Sequence, residues 1–61
     1  IPKIAQKVGE EGVETVIAAL AESGERLASE AADLLFHLLV LLQARGVPFE
    51  RVLAELSHRV R

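Results

Sequence analysis

The stretch EAADLLFHLLVLL, from Glu30 to Leu42, decides how this chain folds. Leu34, Leu35, Phe36, Leu38, Leu39, Val40, Leu41 and Leu42 would cover almost the whole circumference of a helix. A helix that is apolar all round is buried all round. Two neighbours from the same chain could not cover it. The expectation is a homodimer with this helix at its centre, in a bundle of four or more helices.

Working outward, the central helix spans about Glu25 to Arg45. Its early acids and final arginine complement the helix dipole. Gly46 reads as the left-handed residue that ends it. Pro48 opens a third helix whose buried stripe is expected to be Phe49, Val52, Leu53 and Leu56. On the other side, Ser23 and Gly24 form a stop signal. They close a first helix from about Pro2 to Ala21. There Ile4, Val8, Val16 and Leu20 lie near one face, with Val13 and Ile17 beside it. Gly9 and Gly12 each cost about 1 kcal/mol against alanine in a helix interior, so they call for a reason, and close approach of a neighbour or ligand is one candidate. Short loops predict antiparallel packing. The fold class is all-α.

With 61 residues, the chain holds one domain, residues 1–61. A domain this short buries only about 60% of its unfolded surface. Metal binding, disulfides or a partner usually supplement such a core. Cysteine is absent, which removes disulfides and thiolate sites and fits a cytoplasmic protein. The net charge of −2 comes with no basic stretch, and only Phe36 and Phe49 could stack on bases, so no nucleic-acid partner is expected. The apolar run Ala31 to Leu42 is too short for a bilayer, and no signal-peptide pattern is present. The chain starts at Ile1 rather than Met, which suggests a trimmed front.

The acids supply the chemistry. Glu10, Glu11 and Glu14 form E-E-x-x-E; sixteen residues after Glu14, Glu30 and Asp33 form E-x-x-D. Residues three apart share a helix face, so Glu11 and Glu14 project together, as do Glu30 and Asp33. Across adjacent helices the four carboxylates can converge. Their repulsion is relieved by a hard divalent cation: magnesium prefers oxygen ligands, and manganese also suits such a site. No paired histidines or cysteines favour zinc. The plainer alternative is a solvated acidic face, with Lys7 pairing Glu10 or Glu11. Asp33 weighs against it, because a charge at the mouth of a leucine-rich run needs a partner.

The segments Lys7–Ala19, Glu30–Leu42 and Gly46–Leu56 together resemble the phosphoribosyl-ATP pyrophosphohydrolase family. The E-E-x-x-E and E-x-x-D pair alone marks the wider MazG-like superfamily; the flanking K-V-G and D-L-L-F-H-L-L-V-L-L narrow it. The resemblance implies an all-α MazG-like bundle completed by homodimerisation. It implies magnesium-dependent hydrolysis of phosphoribosyl-ATP to phosphoribosyl-AMP and pyrophosphate, the second step of histidine biosynthesis. By the superfamily's pattern, Glu11, Glu14, Glu30 and Asp33 would ligate the metal. Glu10 would be the candidate base, and Lys7 would face the groove and meet phosphate. Gly12 departs from the alanine common in similar sequences. The resemblance also implies a further helical stretch before Ile1, and fusion or association with the phosphoribosyl-AMP cyclohydrolase of the next step is one known arrangement of such chains.

In the resulting mechanism a carboxylate, Glu10 by preference, takes a proton from water, and Lys7 stabilises phosphate charge. His37, one turn after Asp33, either touches substrate, orients a carboxylate or is a hydrogen-bonded core histidine. Arg26, Arg45, Arg51, Arg59 and Arg61 read as surface residues, as does His58. Lys3 reads as a solvated lysine. Ser23 and Ser29 lack a base arrangement, so no nucleophilic hydrolase is read here. Two rival functions stand beside this one. A MazG-like pyrophosphatase for other nucleoside triphosphates would use the same acids. A non-catalytic helical dimerisation module would explain the leucine run but not the acids.

Overall fold

The structure is a computed structural model and describes residues 1–59. Arg61, read above as a surface residue, lies outside the described residues. Three helices, α1 (Pro2–Ala21), α2 (Gly24–Ala44) and α3 (Phe49–Arg59), follow one another with short connections. No strand occurs among the described residues, in agreement with the all-α expectation.

The helix ends follow from local chemistry. Pro2 sits in the first turn of α1, where a missing N–H costs nothing. Ser23, expected as part of a stop, also starts the next helix: its Oγ accepts the Arg26 N–H at 3.1 Å, an N-cap. Helix α2 therefore begins at Gly24, one residue earlier than expected. At its far end Gly46 has φ +71°. The Val47 N–H donates to the Leu42 carbonyl (2.9 Å) and the Gly46 N–H to that of Gln43 (3.0 Å), the paired bonds of a Schellman end.

Helices α1 and α2 pack against each other. The inner face of α1 carries Ile4, Val8, Glu11, Thr15 and Ala18; that of α2 carries Leu27, Glu30, Leu34, His37, Leu38 and Leu41. Two expectations need correction here. Val13, Val16, Ile17 and Leu20 are exposed: they form a second apolar stripe on the far side of α1, so its apolar residues do not share one face. On α3, Phe49, Leu53 and Leu56 are exposed and no residue is buried, because this helix projects beyond the α1–α2 pair. At Gly9 and Gly12 no neighbour from this chain comes close: a Cβ at either would meet nothing within 4 Å. Nothing in the structure explains these two glycines.

The chain is a slab of 34 × 33 × 14 Å with a radius of gyration of 13.0 Å, against about 10.5 Å for a compact domain of this length. Its accessible surface is 4804 Å², where about 3,900 Å² is usual for a folded monomer of this size. Apolar side chains contribute to the excess: Leu35, Phe36 and Leu39 of α2 are exposed, as is the outer stripe of α1. Although the run Ala31–Leu42 is short, the whole of α2 is long and apolar enough to cross a membrane by length and composition, with mean hydropathy 1.5 over one window. Glu30 and Asp33 lie within that length, and ionisable groups are costly in lipid. The bare face is better suited to packing against protein.

Replacing Gly46 by alanine places a Cβ in the left-handed region and should cost about 1–2 kcal/mol. Gly24→Ala, with open space around it, should change stability by less than about 0.5 kcal/mol. Urea unfolding at fixed chain concentration checks the difference.

Candidate functional site

Among the described residues, three are buried: Ala18, Glu11 (6% exposed) and Glu30 (8%). Two of the three are carboxylates, one from each of the packed helices. Glutamate is almost never buried unless paired, and here both acids have partners.

Glu11 meets His37. The His37 Nδ1 lies 2.7 Å from Glu11 Oε1 and 3.2 Å from the Asp33 carbonyl oxygen. Both neighbours are acceptors, so Nδ1 carries the proton and donates. The ring is further fixed by an edge contact with Phe36, with centroids 5.1 Å apart. Behind Glu11, the Thr15 hydroxyl donates to its carbonyl at 2.7 Å. Of the alternatives for His37, the structure shows the carboxylate partner.

Glu30 meets Arg26, whose Nη2 is 2.7 Å from Glu30 Oε2. Burial pushes the Glu30 carboxyl above its ordinary range, and the neighbouring charge of Glu14 adds to this. Arg26 pulls the other way, while a hydrogen bond with Glu14 and the charge of Asp33 act with the burial. Three of the four expected ligands, Glu14, Glu30 and Asp33, thus share one electrostatic neighbourhood. Glu14 and Asp33 are exposed at its edge.

Glu11 is turned toward His37 instead. Among the described residues, no group of three or more His, Cys, Asp or Glu side chains is gathered as a finished metal cluster. The donor chemistry nevertheless suits a hard divalent ion. All the donors are carboxylate oxygens, the charges of Glu14 and Asp33 act on Glu30, and a guanidinium is paired with Glu30. Glu10 is exposed on the flank of α1 and accepts a hydrogen bond from Gln6 Nε2 at 2.9 Å. Lys7 is exposed, one turn before Glu11, and is in none of the ion pairs among the described residues.

Sequence reasoning missed one member of this site, Arg26, and did not specify which carboxylate His37 meets. Arg26, read as a surface residue, is exposed yet braces Glu30, and its Nε lies 3.5 Å from Glu22 Oε1. The signal was the Glu22, Arg26, Glu30 series at i, i+4 spacing. The pairing of Glu11 with His37, 26 residues apart, had no local signal.

A family model described as phosphoribosyl-ATP pyrophosphohydrolase matches residues 2–60. Among similar proteins, the phosphoribosyl-ATP pyrophosphatase of Erythrobacter litoralis is 68% identical over 59 residues, covering 97% of this chain and 57% of its own length. That of Novosphingobium aromaticivorans is also 68% identical over 59 residues, covering 97% of this chain and 55% of its own. That of Pyrobaculum calidifontis is 60% identical over 58 residues, covering 95% and 62%. The chain spans a little over half the length of these curated relatives.

Removing the imidazole should leave the Glu11 carboxylate buried without its partner. His37→Ala is expected to lower stability by about 1–3 kcal/mol, with His37→Asn recovering part of the loss. Chemical denaturation of the three proteins side by side makes the comparison.

Proposed function

The chain belongs to the phosphoribosyl-ATP pyrophosphohydrolase family, and from that premise we propose that it hydrolyses phosphoribosyl-ATP to phosphoribosyl-AMP and pyrophosphate, the second step of histidine biosynthesis, with magnesium as the metal. The observation that carries this reading is the acidic seam between α1 and α2: Glu30 is buried, and Glu14 and Asp33 lie close enough for their charges to act on it.

In this reading Glu14, Glu30 and Asp33 hold the cation, with Glu11 completing the set. The bound ion, magnesium or manganese, supplies charge neutralisation for phosphate oxygens and acidifies water. The chain's own residues do the rest. His37 fixes the orientation of Glu11. Glu10, steadied by Gln6, takes the proton of the attacking water. Lys7, on the same flank of α1, meets negative charge on the phosphates.

The same reading includes a homodimer. A second copy covering Val13, Val16, Ile17 and Leu20 of α1 and Leu35, Phe36 and Leu39 of α2 would remove the excess apolar surface. Burying apolar area is worth about 25 cal/mol per Å², and a chain this small gains little from its own core.

Two measurements test these proposals. Glu14→Ala and Asp33→Ala, both at exposed positions, should each reduce magnesium-dependent pyrophosphate release in the whole protein by about 100-fold or more while helix content by circular dichroism stays unchanged. Full activity in both variants would overturn the assignment. Sedimentation at micromolar concentration should give a dimer, and a folded monomer would contradict the dimeric reading.

A further inference from the structure

Beside the acidic seam lies a cleft of about 280 Å³ lined by Glu14, Ile17, Glu22, Arg26 and Glu30. Arg26 is the cation among these lining residues. Its position needs an explanation. It is the third residue of α2, in the first turn, where the helix dipole disfavours positive charge. Its ion pairs with Glu22 and Glu30 are i, i+4 contacts of a side chain 59% exposed, a class that adds little to stability.

The geometry leaves the guanidinium with unused capacity. Arginine has five N–H donors in a fixed fork. Glu22 lies at Nε (3.5 Å) and Glu30 at Nη2 (2.7 Å), so at least three donors, on Nη1 and the second Nη2 hydrogen, face elsewhere. Such a fork matches phosphate oxygens and can bind them in bidentate fashion. Three carboxylates and one guanidinium give the cleft a net charge of −2 at full ionisation, which by itself repels phosphate. A divalent ion held by the carboxylates cancels that charge, and Arg26 is then the group in the cleft able to bind an anion directly.

We propose that Arg26 is a substrate-contacting residue that binds the pyrophosphate portion of the substrate in this cleft, with Glu22 and Glu30 holding its guanidinium in place beforehand. This rests on the function proposed above and adds the location of the leaving group. It distinguishes Arg26 from Lys7, which does not line the cleft.

The test is calorimetric and uses the whole protein, with magnesium alone and then with inorganic pyrophosphate at saturating magnesium. In Arg26→Gln, pyrophosphate should bind about tenfold more weakly or worse. Magnesium alone should bind at least as tightly as in the wild type, because Glu30 has lost a competing cation. Arg26→Lys keeps the charge without the fork and should recover only part of the pyrophosphate affinity. Pyrophosphate affinity within about twofold of wild type in Arg26→Gln overturns the inference. So does a parallel weakening of magnesium alone, which would make Arg26 only a brace for Glu30. A wild-type protein that binds neither magnesium nor pyrophosphate would overturn the proposed function together with this inference, a result distinct from either of those.

Discussion

A carboxylate placed between two packed helices must be met by a partner, and this chain places two there. The inner faces of α1 and α2 hold few apolar residues that are well covered, yet they bury Glu11 and Glu30 more deeply than any leucine. Desolvating an unpaired carboxylate is far more costly than the gain from burying one aliphatic side chain. Both acids are satisfied, Glu11 by His37 across the two helices and Glu30 by Arg26 within α2, and the register of the helices is therefore tied to the first of these contacts. Shifting α1 along α2 by one turn would break the His37–Glu11 contact and leave the Arg26–Glu30 pair, which lies within α2, in place.

The same constraint accounts for the distribution of apolar surface. With the interior seam given over partly to charge, much of the leucine and valine content has to face outward. Leu35, Phe36 and Leu39 on α2 and Val13, Val16, Ile17 and Leu20 on α1 are left exposed. At the α2–α3 elbow, an open cavity of about 450 Å³ is lined by Leu39, Leu42, Val47, Pro48 and Phe49, among others. A flat pair of helices with a polar seam inside and apolar flanks outside suits one half of a larger bundle, which is the form the dimeric proposal takes.

Much of this was legible in the sequence. The helix limits followed from Pro2, Ser23, Gly46 and Pro48, whose backbone preferences act locally. The acids stood out by their spacing. What could not be read was which side of α1 meets α2. That helix carries two apolar stripes, and the inner one is interrupted by Glu11 and Thr15, so hydrophobicity alone merged Ile4 and Val8 of the inner stripe with Val16 and Leu20 of the outer one. The partner of Glu11 depends on antiparallel register over 26 residues of chain, and no local pattern encodes it. Arg26 looked like an ordinary surface cation because its exposure is real; only the burial of Glu30 gives its position a meaning.

The account's central claim is that the facing turns of α1 and α2 form one cation site. Manganese added to the metal-free, isotope-labelled protein would test it through paramagnetic broadening of backbone amide signals. The account predicts loss of signal first around Glu14, Glu30 and Asp33, reversed by excess magnesium, with the α3 amides near Glu50 and Glu55 affected least. Broadening spread evenly over the surface acids, or centred on α3, would contradict it.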